Sequence, residues 1–232
     1  MIWLCFILIL ICAIYFYLST QKPKQFIIRT PQDVSVHTVI ARYNESVTWK
    51  DYMPSVHLYN KGAILKHAIP LDNVGREGHT YYSHIVSHYN KLPDYLICLQ
   101  GNPFDHSPNL FLTIQHYFNQ LHLESTPYLS LSEKVLTDDM KDGSVWHRNF
   151  HSWYYKLPDI PKEMPKKIYK SLFKTKMPST VTYGTGAQFI VSKQAILKHP
   201  ISFYQSIVSL LSTSSNPVEG FIIERFHGLI FT

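Results

Sequence analysis

The sequence predicts an α/β fold, a mostly parallel sheet flanked by helices, and three observations carry that prediction. Short apolar runs stop abruptly in polar or glycine-bearing tips, as in Val34–Glu45 (VSVHTVIARYNE) and Asp94–Gly101 (DYLICLQG). Between such runs, apolar residues recur at helical spacing: Tyr82, Ile85, Val86 and Tyr89 in one segment, Leu110, Ile114, Phe118 and Leu121 in another. The run from Tyr95 to Leu99 is unbroken, as expected of a strand covered on both faces. Strands alternating with helices build a sheet that is mostly parallel.

The elements follow in order. Ile2 to Leu18 carries no charge and is about as long as a helix that spans a hydrocarbon core. It lacks the basic start and small-residue cleavage site of a signal peptide. Residues 1–20 are therefore read as an uncleaved transmembrane anchor, 21–34 as a linker and 35–232 as one α/β domain. Val34–Glu45 reads as a strand, Ser46–Met53 as a short helix and Ser55–Gly62 as a second strand, followed by a loop to Asp72. A helix is expected near Arg76–Asn90, a strand at Asp94–Gly101 and a helix at Asn109–His122. Residues 123–180 show a strand at Pro127–Leu131 and otherwise read as irregular. Gly184–Lys193 restores a strand, a short helix ends at Pro200, and two helices close the chain.

Charge and cysteine usage narrow the class. The net charge of +6 suits anionic partners such as phosphates or lipid headgroups. The lysine-rich stretch Lys162–Lys176 reads as a solvated basic surface, with a lipid or phosphate contact as the alternative. Zinc-finger spacing, a basic helix and an RNA-binding signature are not found, so no nucleic-acid partner is expected. Lys22, Lys24 and Arg29 follow the apolar run, which places the domain on the cytosolic side of a single-pass protein. Cys98 stands alone outside the anchor, so an internal disulfide is not expected. Asn44-Glu45-Ser46 is a glycosylation acceptor motif that would be available on the luminal face, the alternative location.

In parallel α/β sheets ligands sit outside the carboxyl ends of the strands, and the polar tips fall there. Arg42 brings a planar fork suited to phosphate or carboxylate. Asn44 and Glu45 can bond a base or ribose. Asn73 and Gly75 precede a helix start whose positive end suits an anion; Arg76 and Glu77 are its first charged residues, with a solvent-facing ion pair as the plainer alternative. Asp105 and His106 follow the third strand and suit a hard divalent cation, Mg²⁺ or Mn²⁺, with phosphate oxygens completing its shell; a turn at Asn102-Pro103 with Asp105 capping the next helix is the other reading. Together these are parts for gripping a nucleotide diphosphate. A phosphate-binding P-loop, a dinucleotide glycine fingerprint and a serine nucleophile elbow are missing. The thirteen histidines are read as scattered packing and surface residues, and a His-x-x-x-His or Cys-x-x-Cys pair for structural zinc is read as missing.

The stretches VIARYNESVTW, LYNKG, LDNVGREGHTYYSHIVSHYNKLPDYLICLQGNPFDH, GTGAQFIVSK and EGFIIERFHGLIF resemble a family of unknown-function domains found in fungi and large DNA viruses. That family in turn looks like glycosyltransferases of the GT-A type. The resemblance implies nucleotide contacts from Arg42, Asn44 and Glu45, and ribose or diphosphate contacts from Asn73, Arg76 and Glu77. It implies a metal and sugar-phosphate role for Asp105, with His106 beside it. Gly184-Thr185-Gly186 resembles an acceptor-side loop, and Glu219 or Glu224 would deprotonate the acceptor hydroxyl. The alternative for Glu224-Arg225 is a structural ion pair. The chain departs from the pattern in one respect: a single carboxylate, Asp105, stands where an Asp-x-Asp pair is usual.

Three functions follow as expectations. The first is a membrane-anchored transferase moving sugar from a nucleotide sugar to a glycan, lipid or protein acceptor. The second is an inactive glycan- or partner-binding module on the same fold, consistent with the missing aspartate. The third is a hydrolase or phosphotransferase using Asp105 and His106.

Overall fold

The computed structural model describes residues 27–121, 126–140 and 163–232. The proposed anchor lies outside them. Among the described residues no helix is long and apolar enough to cross a membrane.

Strands β1 (Val36–Arg42), β2 (Val56–Asn60), β3 (Ile69–Pro70) and β4 (Tyr95–Gln100) run parallel. With β5 (Tyr128–Ser130) and β8 (Phe189–Ser192) they form a six-stranded sheet in the order β3-β2-β1-β4-β8-β5, in which β8 is antiparallel to both neighbours. A separate antiparallel pair joins β6 (Val135–Asp139) to β7 (Thr180–Gly184). The helices are α1 (Arg76–His88), α2 (Leu110–Gln120), α3 (Met164–Phe173), α4 (Lys193–Ile196), α5 (Ile201–Leu211) and α6 (Val218–Phe231).

The period of two along each strand divides the core between the two faces. Val39, Ala41, Leu96 and Cys98 point toward a layer containing Tyr82 and Ile85 of α1, Ile207 of α5 and Phe226 of α6. Ile40, Ile97 and Leu99 point the other way, onto Trp49, Ile114 and Phe118. Val39, Ile40, Leu96, Ile97, Cys98 and Leu99 are all fully buried, which is why these strands read as continuous apolar runs. The segment expected to be a short helix is a 3-10 turn, Thr48–Tyr52.

Residues 123–180 hold more regular structure than their composition suggested. β6 and α3 lie there, and α3 buries Ile168, Tyr169 and Leu172 on one face. Of the expected Gly184–Lys193 strand, Phe189–Ser192 is β8, whereas Gly184 ends β7 of the other sheet. Gly186 (φ 84) and Ala187 (φ 53) adopt left-handed backbone between them and turn the chain out of β7 before β8 begins. The expected Glu224-Arg225 pair is not formed. Arg225 Nε instead meets Asp138 Oδ2 of β6 at 2.8 Å, in a site where both side chains are almost wholly buried.

The same core contains a buried histidine with an orphaned nitrogen. His227 packs against Phe189 with ring centroids 4.7 Å apart, and its Nε2 has no hydrogen-bond partner among the described residues. Burial pushes its pKa down to about 3, so the native state holds it neutral. The unfolded chain binds a proton there below about pH 6.5, and the native state does not until about pH 3. His227 therefore destabilises the fold progressively as pH falls across that interval, by ~1.4 kcal/mol per pH unit. His227→Phe is expected to raise the melting temperature at pH 4–5 relative to the parent while changing it little at pH 7.5. Parallel melting curves for parent and variant across this range check it.

Candidate functional site

The strand order places a break in the winding beside β1. The chain lays down β1, β2 and β3 in one direction, then returns to place β4 on the other side of β1. At such a switch point the connections leaving β1 and β4 diverge, opening a crevice beyond their carboxyl ends. A cleft of about 430 Å³ lies there. Arg42, Glu45, Asn73, Arg76, Glu77 and Asp105, six residues singled out from the sequence, line it together.

Each is placed by its element. Arg42 ends β1, and its guanidinium is committed to the tip itself: Nε donates to the Glu45 carbonyl at 2.9 Å, and Nη1 to the Tyr43 carbonyl at 3.1 Å and to Asn60 Oδ1. Glu45 Oε2 accepts from the backbone amides of Tyr43 and Asn44 at 2.7 and 3.1 Å. Asn44 turns away to accept from the Ala63 amide at 2.9 Å, and does not line the cleft. The β1 tip is thus a self-bonded loop whose surface forms one wall. Gly101 makes the close approach possible, because a Cβ there would fall 2.4 Å from Glu45 Oε2.

The opposite wall is the start of α1. Gly75 (φ 63) and Arg76 (φ 51) are both left-handed, and for arginine that conformation is strained. Strain of this kind concentrates at functional sites. The surroundings fix it: the Gly75 amide donates to the Ser214 carbonyl at 2.8 Å and the Arg76 amide to that of Ser215 at 3.4 Å. These two amides are therefore not available to an anion, contrary to the expectation for this helix start. Arg76 lies over the Phe221 ring at 4.2 Å and pairs with Glu77 at 3.5 Å, both half-buried at the cleft. This is not the plain solvent-facing pair of the alternative reading.

The carboxyl end of β4 supplies Asp105, in a 3-10 turn at Pro103–Asp105. It is exposed, and Asn102 Nδ2 donates to its Oδ2 at 2.9 Å. It does not cap α2, whose N-cap position is Asn109. His106 faces elsewhere: its Nδ1 is 3.3 Å from Thr185 Oγ1, and its ring packs so closely on Gly186 that a Cβ there would lie 2.4 Å from it. Asp105 and His106 are thus not brought onto one cation, and the protein offers one carboxylate there rather than a built divalent site.

The acceptor-side residues separate. Gly184 ends β7 in contact with Ser130. Glu219 sits half-exposed in the first turn of α6, away from the cleft. Glu224 lies behind the cleft: its Oε1 accepts from the Gly186 amide at 2.7 Å, and the Gly186 carbonyl accepts from Gln100 Nε2 at 2.8 Å. Gln100 lines the cleft, so a polar chain links Glu224 to its wall. Burial, and then the nearby Glu77 carboxylate, pushes the Glu224 carboxyl above the usual range, against the opposing influence of Arg225 and Arg76. Gly186→Ala forces alanine into left-handed backbone and its methyl into the His106 ring; the expected cost is about 1–2 kcal/mol in urea unfolding.

Lys61 was not foreseen as a site residue. It follows β2, lines the cleft, and donates to the carbonyls of Val74 and Arg76, fastening the strained start of α1. Two of its three protons are used in this way, leaving one donor. Burial lowers its pKa to about 8, against the pull of Glu77 and Asp72. Its sequence signal was its position one residue past a strand end. Nor are the histidines all scattered. His84 and His88 form a His-x-x-x-His spacing on α1, and they meet His37 and His57.

This arrangement defines the class: an α/β protein with a charged cleft at a switch point of its parallel strands. Residues 38–232 match the family described as "Protein of unknown function (DUF3431)", and the chain belongs to that family. No curated protein matches the chain. No solved structure matches it.

Proposed function

We propose that the cleft binds a nucleotide sugar and that the protein transfers its sugar to an acceptor hydroxyl. The observation that carries this reading is the meeting of Lys61 and Arg76 with Asp105 across the cleft at the β1–β4 switch point. Two cations face the place where a diphosphate would lie, and one exposed carboxylate faces the place where a sugar would lie. In the transfer, a bond forms between the acceptor oxygen and the anomeric carbon while the bond from that carbon to the diphosphate oxygen breaks. The diphosphate leaves with the electron pair, stabilised by the preorganised charges of Arg76 and Lys61. The acceptor proton passes to a carboxylate, and Asp105 is the exposed one in the cleft. Asn73 and Glu77 stand where they can bond the ribose. Glu224 is a positioning residue that holds the Gly186 peptide and, through it, Gln100.

Among the described residues the cleft has no built divalent site, so a Mg²⁺ or Mn²⁺ ion would arrive with the donor phosphates and be held by their oxygens and water. With the apolar amino-terminal run as a single membrane anchor, acceptors near a membrane surface (lipid, glycan or protein) suit the placement. The missing Asp-x-Asp pair favours a second reading, a binding module without turnover.

Thermal melting of the protein against nucleoside diphosphates and nucleotide sugars, with and without Mn²⁺ or Mg²⁺, tests the site. A ligand that binds the native state raises the melting temperature, by about 2.7 kcal/mol of added stability at 100 times its Kd. A shift for one nucleotide sugar that is reduced in Asp105→Asn is the expected result. A well-folded protein that no nucleotide shifts at millimolar concentration would overturn the reading. Binding without sugar release or transfer would establish the second one.

A further inference from the structure

We propose that His37, His57, His84 and His88 form a binding site for one zinc-class transition-metal ion, which fastens the carboxyl-terminal half of α1 to β1 and β2. The site is independent of the cleft. It lies at the amino ends of the strands, and α1 separates the two, since Arg76 to His88 spans about 18 Å at 1.5 Å per residue.

The fold brings the four side chains together from three elements. His57 of β2 lies opposite Val39 of β1, so His37, two residues earlier on β1, is its diagonal neighbour on the same face. His84 and His88 are one turn apart on α1, which covers that face. Each ring offers one nitrogen, and all four nitrogens lie within 4.8 Å of one another. Tetrahedral zinc with bonds of 2.0–2.1 Å to nitrogen sets its ligand atoms about 3.3 Å apart. His37 Nδ1 and His84 Nε2 already stand at 3.2 Å, so the remaining closure is small enough for side-chain rotation.

The outer nitrogens are oriented as metal ligands require. His84 Nδ1 is 3.0 Å from the Tyr59 hydroxyl, and His88 Nδ1 is 3.1 Å from the His84 carbonyl. A proton on each of those nitrogens leaves the lone pair of Nε2 facing the cluster, the arrangement that fixes tautomer and ring direction at metal centres. The surroundings also disfavour the charged form of three of the rings. Burial first, then mutual repulsion, pushes His84 down to about 2 and His37 to about 4, and lowers His57. Neutral imidazoles need lose no proton to bind a cation. A set of four nitrogens without oxygen or sulfur suits Zn²⁺, and also Cu²⁺, Ni²⁺ or Co²⁺, rather than Mg²⁺ or Ca²⁺. Four protein ligands close the shell, as in structural rather than catalytic zinc sites.

The test uses the full chain in detergent, stripped with a chelator and titrated with Zn²⁺ against a chromophoric competitor. The expected result is one tight equivalent per chain, a higher melting temperature, and the intense visible bands of a tetrahedral site when Co²⁺ replaces Zn²⁺. His57→Gln and His88→Gln, both at half-buried positions, are expected to keep the fold by circular dichroism and to weaken binding at least ~100-fold. Asp105→Asn, in the other site, is expected to bind zinc as the parent does. Absence of saturable binding at micromolar zinc, or equal binding by the parent and the folded His57→Gln/His88→Gln double variant, would overturn the proposal. Neither result bears on the nucleotide cleft.

Discussion

Asp138→Ala is expected to destabilise the protein by about 3–5 kcal/mol, on the order of 10 °C in melting temperature for a domain of this size. Asp138 and Arg225 are 2% and 4% exposed, so water contributes little to solvating either charge. Arg225 keeps the Phe221 carbonyl at 2.9 Å and the Tyr183 ring at 4.6 Å after the change, but loses the carboxylate that offsets its charge. Removing one carboxylate from a buried ion pair leaves the remaining charge less compensated than before, and that penalty exceeds the worth of the intact pair. The double variant Asp138→Ala/Arg225→Met removes both charges and is expected to recover most of the loss. A double-mutant cycle by urea denaturation measures the coupling. A cost below ~1 kcal/mol for Asp138→Ala would show the pair to be solvated. The consequence reaches the cleft, because α6 carries Arg225 next to Glu224, and Glu224 holds the Gly186 peptide.

That pair also shows where sequence reading stops. Asp138 and Arg225 are 87 positions apart, and β6 (VLTDD) is short and polar enough to pass for loop. The parallel strands were legible for the opposite reason. β1 and β4 are buried on both faces, so local composition alone marks them. The polar tips were legible as a group because switch-point geometry follows from strand–helix alternation. What each tip residue does was not. Arg42 looked like a phosphate ligand and is engaged by its own loop, whereas Lys61 looked like a strand end and fastens α1. The histidine cluster needed only one local clue, the His84–His88 spacing. Its partners, however, come from strand register, which local pattern does not encode.

Arg76→Gln is expected to weaken nucleoside diphosphate binding about 10- to 100-fold, the worth of a charge-assisted hydrogen bond to phosphate. The fold commits several contacts to this residue. Its backbone is left-handed at φ 51, its carbonyl is held by Lys61, its amide by Ser215, and its guanidinium lies on the Phe221 ring at 4.2 Å. Those contacts aim the side chain, and glutamine at the same position retains the backbone ones. The cation–π contact and the Glu77 pair at 3.5 Å are lost together, at a stability cost of ~1 kcal/mol or less. Binding and stability are thus expected to separate: a large change in Kd by calorimetry and a small one in melting temperature without ligand. Arg76→Lys keeps the charge and loses the planar fork, so it falls between parent and glutamine. The salt dependence supplies an independent reading. Parent affinity should fall as ionic strength rises, and the glutamine variant should show a shallower slope because one cation is gone. If the glutamine variant binds nucleoside diphosphates as the parent does, with the same slope, the diphosphate does not lie against α1. The strained helix start would then serve the fold alone.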